Sequence, residues 1–408
     1  MSKLLDIIEN MDPSATLCIS YDSLRQSPPT PPSESVNRAY YNPPNIKLTP
    51  QYSTVSINAP PPAIYCDLAR YNALQRAKQS FDVKGFIAAR DAMNPFEKIG
   101  RSIFMNRAAI KLANTDAVYN VTEKVFSFDR KQSNDPFTFC DVAAGPGGFT
   151  QYIQYRFPKA IGYGMTLKGK LDWNTRALDM TRFTPFYGAD GTGDLYFNWK
   201  DFIQVVLSQQ LPGVDLVMGD GGFDMEEGSD KALLQHQEFL SSRLLLTQAI
   251  IGIGCSKQGG NFVLKVFDTV TEFSAEILFI LSCCFESIRV FKPISSRPAN
   301  SERYVICLNR NADVLPCYRL LADATPSYEN NVFLDRLFEE PLPSAFISWL
   351  TDINNSSIES QLIAAENIIS YIQGGSPVIP TYDIEKFLTI WNLPDTPPHP
   401  RQTAILIR

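Results

Sequence analysis

Histidine is nearly missing from this 408-residue chain: only His236 and His399 occur, so a Ser-His-Asp triad or a histidine-rich metal centre has almost nothing to work with. Metal catalysis is disfavoured, and no metal ligands are assigned. The eight cysteines, the adjacent Cys283 and Cys284 included, lack the paired spacings of a disulfide framework or a zinc site. They read as structural thiols. Long apolar runs are missing too. The longest, 277–284 and 249–255, are too short to cross a bilayer, and residues 1–10 lack the basic-then-apolar layout of a secretory signal. A soluble, intracellular protein with no membrane association is expected. Dense Lys/Arg clusters are absent, and the net charge is −6. That balance argues against sequence-independent coating of nucleic acid, which depends on neutralising many phosphates; a nucleic-acid partner would need a local basic groove.

What is present is enough apolar material, 44% of residues, for one large domain or two smaller ones. Residues 1–64 hold 11 of the 29 prolines, densest at 28–32 and 60–62, without a sustained apolar period. That segment reads as extended or disordered, with one short helix at 3–10. Over 65–120 the pattern turns helical, Phe104, Ala108 and Leu112 recurring at fours. Short apolar runs at 137–143, 160–165, Val214–Gly219 and 262–267 then alternate with amphipathic stretches at 149–156, 202–209, 233–253 and 272–283. Strand-helix repetition implies a doubly wound parallel sheet. Two more strands, 286–291 and 303–308, are separated only by a loop with Pro293 and Pro298. With no room for a crossover helix they should form an antiparallel hairpin at the sheet edge. From 311 to 408 the chain reads as mainly helical, with a last helix at 384–391 and a Pro-rich tail. There are no internal repeats.

The chemistry gathers around the loop Ala144-Gly145-Pro146-Gly147-Gly148-Phe149. It follows the strand carrying Asp141 and opens a helix, so bare backbone N–H groups stand at a positively polarised helix start. A generic glycine turn is the alternative, since such motifs match loosely. Without a Gly-Lys-Ser or Gly-Lys-Thr ending it is no P-loop, and a cofactor with a carboxylate, such as S-adenosylmethionine, suits it better. Asp220 closes the run Val214–Gly219 at the carboxyl edge of the sheet, where open α/β folds bind ligands; alone, it would read as a turn-forming Asp-Gly. Lys265 sits inside a buried-strand sequence, where a lysine is costly unless paired, functional or snorkelling. Glu302 could pair with it, and Lys111 completes two lysines and two acids. An unperturbed lysine is neutral in about one copy in a thousand at pH 7.4, and a pKa near 8 would make that about one in five. A lysine so shifted is a usable general base.

These residues resemble the FtsJ-like RNA 2′-O-methyltransferases with a Lys-Asp-Lys-Glu tetrad, and within them the eukaryotic cap-specific enzymes that methylate the first transcribed nucleotide. The likeness runs through 104–111, 141–149, 164–169, 220–223 and 291–304. It implies an α/β, Rossmann-like S-adenosylmethionine-dependent fold: a mostly parallel seven-stranded sheet with an antiparallel edge strand, flanked by helical extensions. The catalytic domain would span 65–310, with 65–120 also contacting cap and RNA. The tetrad becomes Lys111, Asp220, Lys265 and Glu302, with Lys265 as base. The resemblance further implies that Asn106, Asp141, Ala144, Gly145, Pro146, Gly147, Gly148, Phe149, Asp194 and Asp220 hold S-adenosylmethionine. Asp190 stands near Asp194 in a similar setting. Arg76, Lys78, Arg90, Lys168, Arg297, Asn300, Ser301 and Glu302 would meet the 7-methylguanosine cap and first nucleotides. For the basic residues of the first helix, a solvated face is the alternative. Capped mRNA is the implied substrate, and transcription or capping machinery would be the protein partners. A nuclear address is implied for a cellular enzyme and a cytoplasmic one for a viral enzyme, with no clear targeting signal. Methylation of ribosomal or transfer RNA and a catalytically silent cap-binding subunit remain open at this point.

Overall fold

Runs of apolar residues with no polar alternation become strands buried on both faces, as parallel strands covered by helices require. The computed structural model describes residues 17–18, 47–48, 50–56 and 60–393, except 82, 98, 100–102, 124–134, 171, 223–235, 326–331 and 379–381. The helix expected at 3–10, most of the Pro-rich segment, Phe223 and the tail with His399 lie outside the described residues. In order, the elements are β1 (Leu17–Cys18), β2 (Lys47–Leu48), β3 (Pro50–Ser56), α1 (Leu68–Gln79), α2 (Val83–Ala92), α3 (Arg107–Tyr119), β4 (Thr138–Val142), α4 (Gly148–Arg156), β5 (Ile161–Met165) and β6 (Phe183–Phe186). There follow α5 (Leu195–Gln209), β7 (Val214–Gly219), α6 (Gln237–Leu240), α7 (Ser242–Cys255), β8 (Ser256–Val266), α8 (Glu272–Cys284), β9 (Phe285–Phe291), β10 (Arg303–Arg310), α9 (Leu315–Ala324), β11 (Val332–Phe338), α10 (Ser344–Ile372) and α11 (Ile384–Ile390).

The central sheet has seven strands in the order β6-β5-β4-β7-β8-β10-β9. From β6 to β8 all neighbours are parallel, whereas β10 runs against both β8 and β9. The expected hairpin forms, and its reversed strand lies one place in from the edge, which β9 occupies. The pleat then sorts side chains to two cores. Cys140, Val142, Val217, Phe262 and Leu264 pack with α5, α7, α8 and α9. Phe139, Leu216, Met218, Val263 and Ile306 face the other way, against α3, α4 and the end of α11. Cys140, Cys255, Cys283, Cys284, Cys307 and Cys317 are buried free thiols.

Four features differ from the reading of the sequence. Strand β6 was not expected: Pro185 interrupts its pattern, and an edge strand tolerates a proline that a central one would not. Strand β11 lies in a stretch read as helical; it pairs antiparallel with β3, from the segment read as extended or disordered. A partner that far away in sequence leaves no local signature. The helix expected at 233–253 is divided at Ser241, and Glu238 on the short α6 turns inward to accept from Val270 N (3.2 Å) and Thr271 N (3.0 Å). Helix α5 begins at Leu195 rather than 202 because Asp194 caps it, accepting from Tyr196 N. Among the described residues no helix is long and apolar enough to cross a membrane.

One buried amide ties the long helix α10 to the sheet. Asn354 Nδ2 donates to Tyr65 O (3.0 Å) and Thr269 O (2.7 Å), while its Oδ1 accepts from Thr269 Oγ1 (2.8 Å) and Arg303 Nη2 (3.0 Å). Replacing it by alanine should cost about 3 kcal/mol, because buried partners, a guanidinium among them, lose their hydrogen bonds. The expected result for Asn354→Ala is a lower urea midpoint at unchanged slope; a midpoint equal to that of the parent would show that the network is dispensable.

Candidate active site

The parallel registers align the carboxyl ends of β4, β5 and β7, since Val142 lies beside both Met165 and Gly219. The glycine loop leaves this edge. Gly147 adopts a left-handed φ of 104°, and a Cβ there would lie 2.7 Å from Leu178 Cδ1, so only glycine fits. A Cβ on Gly148 would lie 2.2 Å from Asn106 Oδ1 and 2.8 Å from Ala108 Cβ. The loop is therefore pressed against the start of α3, where Asn106 is the N-cap and accepts from Ala108 N. Gly145 N donates to Thr166 Oγ1 (3.2 Å), fastening the loop to the end of β5.

Asp141 is wholly buried, and its Oδ2 accepts from Thr150 N (3.0 Å) and Thr150 Oγ1 (2.7 Å), which braces the start of α4. Burial pushes this carboxyl up to about 8; the Thr150 bonds oppose the rise and Asp220 adds to it. Asp194 spends one oxygen as the N-cap of α5. Asp190 is held locally by Thr192 and by Asn198 Nδ2 (3.1 Å).

The four chemistry-bearing residues meet. Tyr304 is the register partner of Lys265 across β10 and β8, and Glu302 falls on the same face as Tyr304 because side chains alternate along a strand. Gly219 is the partner of Leu264, so Asp220 follows onto Lys265. Lys265 Nζ is 3.1 Å from Asp220 Oδ1 and 4.0 Å from Glu302 Oε2. Lys111 Nζ comes in from α3 to 2.6 Å from Glu302 Oε1 and 2.8 Å from its Oε2. The expected Lys265–Glu302 pair is thus the longer contact, and Lys111 takes the carboxylate. Burial alone would raise the Glu302 carboxyl, but Lys111 and Lys265, with Lys292 behind them, outweigh it and hold it well below the usual range.

Three neighbours had no assigned role in the sequence. Tyr304 Oη donates to Asp220 Oδ1 (2.7 Å), Ser296 Oγ to Glu302 Oε1 (2.9 Å), and Gly221 N to Gln248 Oε1 (3.1 Å). Tyr304 could have been found from its spacing of two from Glu302; Gln248, on α7, gives no comparable signal. The residues proposed for RNA separate into groups. Arg297 Nη2 (2.8 Å) and Arg107 Nη1 (2.6 Å) both meet Glu97, and Arg90 pairs with the adjacent Asp91. Burial would raise the Glu97 carboxyl, yet Arg297, Arg107 and Arg90 together hold it low. Asn300 is bound by Lys292 Nζ (2.7 Å), Ser301 Oγ donates to Gln237 Oε1 (3.5 Å), and Lys168 lies over the Tyr187 ring. Arg76 is exposed on α1. Lys78 departs from the expected basic surface: its Nζ donates to Gln361 Oε1 (2.8 Å), and burial lowers its pKa despite Asp268.

A glycine loop at the sheet edge, four converging charges and one reversed strand in a seven-stranded sheet define a Rossmann-like methyltransferase. The chain belongs to the FtsJ-like methyltransferase family, whose model matches residues 104–310. It is 34% identical over 362 residues to the human protein named cap-specific mRNA (nucleoside-2'-O-)-methyltransferase 1, an alignment covering 81% of this chain and 42% of that one. Similarity to the Drosophila melanogaster protein of the same name is 33% over 338 residues, covering 76% and 42%. For the Caenorhabditis elegans protein it is 36% over 272 residues, covering 60% and 29%. The chain spans less than half the length of these curated relatives.

The cofactor of this class is S-adenosylmethionine, and the residues fit it. Asp141 Oδ1, at the base of the loop, and Trp173 Nε1, a donor on the ring that packs on Gly147, are buried without a hydrogen-bond partner among the described residues. A ligand with both an ammonium and a carboxylate can satisfy such a pair. Gly148→Ala should lower the melting temperature by several degrees, for about 1–3 kcal/mol of overpacking, and weaken cofactor binding. Melts with and without S-adenosylmethionine check this; an unchanged melt would show that α3 yields freely. Folding also favours ionised Glu302, so its contribution is present above the ordinary glutamate range and is lost as pH falls from that range through the lower folded-state value. Between pH 7 and about 2.5 the parent should therefore lose more stability than Glu302→Gln, most of the difference arising below about pH 4.5, and parallel losses would show that the carboxylate is not held ionised.

Proposed function

We propose that the protein transfers a methyl group from S-adenosylmethionine to the ribose 2′-hydroxyl of the first transcribed nucleotide of 7-methylguanosine-capped RNA. The observation that carries this reading is the Lys111–Glu302–Lys265–Asp220 cluster beside the glycine loop. Membership of the FtsJ-like family and the names of its relatives support it. The catalytic unit is 65–310, and 311–408 is an extension of it. Capped mRNA is the substrate, and capping or transcription machinery the partners; a nuclear site suits a cellular enzyme and a cytoplasmic one a viral enzyme.

When bound, the cofactor supplies a methyl group already activated on a sulfonium. What the chain must add is position and removal of one proton. Asn106, Asp141, the Ala144–Phe149 loop and Asp194 hold the cofactor. Lys265 Nζ takes the proton from the 2′-hydroxyl. Glu302 is closer to Lys111 than to Lys265, and the carboxylate nearest Lys265 is that of Asp220, at 3.1 Å. Asp220, oriented by Tyr304 and Gln248 through Gly221, lies between cofactor and substrate. Arg90, Arg297, Asn300 and Ser301 receive the capped end, with Lys168 and Arg76 further along the RNA. Lys78, committed to Gln361, acts there only indirectly.

Methyl transfer should be measured on uncapped RNA, on capped RNA without ribose methylation, and on RNA already methylated at the first nucleotide. Label on the first ribose of only the second RNA is expected. Label on uncapped RNA would move the substrate to another RNA class, and none on any RNA would overturn the enzymatic reading. Lys265→Ala should lower the rate by about a hundredfold or more while cofactor binding persists; more than about a tenth of the activity remaining would reject Lys265 as the base.

A further inference from the structure

Lys292 follows β9 and opens the loop that returns to β10. Its Nζ reaches across the base of that loop to three acceptors: Asn300 O (2.5 Å), Asn300 Oδ1 (2.7 Å) and Glu302 O (3.2 Å). Three acceptors match an ammonium, which has three N–H donors, and exceed what a neutral amine can supply. Just after Lys292 the loop is also tied to α3, where Asn114 Oδ1 accepts from Ile294 N (2.8 Å). Inside it, Ser296 Oγ reaches Glu302 Oε1. These ties join the loop to α3, which carries Lys111, and to Glu302, which meets both Lys111 and Lys265.

We propose that Lys292 is a positioning residue of the methyl-transfer site: its ammonium closes the loop 293–301 so that Glu302 stands between the two tetrad lysines and Asn300 presents its amide N–H₂ to RNA. This rests on the tetrad reading above. With Oδ1 engaged by Lys292, the amide end left to Asn300 is a donor, which suits acceptors such as phosphate, carbonyl or ribose oxygens. The clasp is also sensitive to protonation. Burial pushes Lys292 down to about 7, Lys78 and Arg303 adding to the fall while Glu302 and Asp268 oppose it. A neutral Lys292 lacks the third donor, so the loop should loosen as pH rises past neutrality.

The test pairs kinetics with hydrogen exchange of the segment 293–302 in the full chain. Lys292→Met should lower kcat on capped RNA by about tenfold or more, since a misplacement of about 1 Å can cost about a hundredfold. Its Kd for S-adenosylmethionine should stay within about twofold, because the glycine loop is untouched. Protection of 293–302, corrected for intrinsic exchange, should fall in the parent between pH 6 and 8.5 and be low at both pH values in the variant. Parent-like protection in Lys292→Met would overturn the proposal even if activity fell. A parent that fails to methylate capped RNA would reject the function instead, and the exchange data would still decide the role of Lys292. If Lys292→Met does not fold, Lys292→Gln and the parent pH series carry the same decision.

Discussion

The site depends on one buried carboxylate. Glu302 leaves water for a position among Lys111, Lys265 and Lys292, and a charge in that setting is tolerable only if it is paired and hydrogen-bonded. Its two ion-pair partners come from different elements: Lys111 from a helix and Lys265 from a strand. Neither can shift without exposing the carboxylate to an unbalanced field. The requirement thereby locks α3, β8 and the β9–β10 loop into one geometry, and Asp220 joins because its strand runs beside β8.

Around this carboxylate, buried polar groups act as spacers between layers. Asp141 braces the first turn of α4, Glu238 holds Thr271, the N-cap of α8, and Asn354 links α10 to Arg303. Each answers backbone or side-chain groups that a purely apolar core would leave unsatisfied. In return they limit the ways in which the helices can pack, so Lys265 stands in fixed surroundings.

Much of this was legible in the sequence because it is local. The strands β4, β5 and β7 stand out as apolar runs between turn signals, and the loop between β9 and β10 is too short for a crossover. Lys265 betrays itself as a charge in a buried strand. What was not legible is non-local or conditional. The β3–β11 pair joins segments read as extended and as helical, and β6 hides its strand character behind Pro185. Glu302 was paired with Lys265, whereas Lys111 holds it more closely, because that choice depends on where α3 lies. Lys78 shows the reverse error: a basic residue beside other polar ones looked like surface until Gln361 of α10 covered it.

The match to the family ends at residue 310, but the hydrogen bonding does not. Glu276 of α8, inside the match, accepts from Leu337 N (2.5 Å) and Phe338 N (3.3 Å) of β11, and Arg303, at the start of β10, relies on Asn354 of α10. A chain trimmed to 104–310 would leave the Glu276 carboxylate bare and the buried Arg303 guanidinium under-bonded. The stretch that the family model matches and the stretch joined by buried hydrogen bonds are therefore different lengths of polypeptide, and the sequence outside the match completes the interior of the part within it.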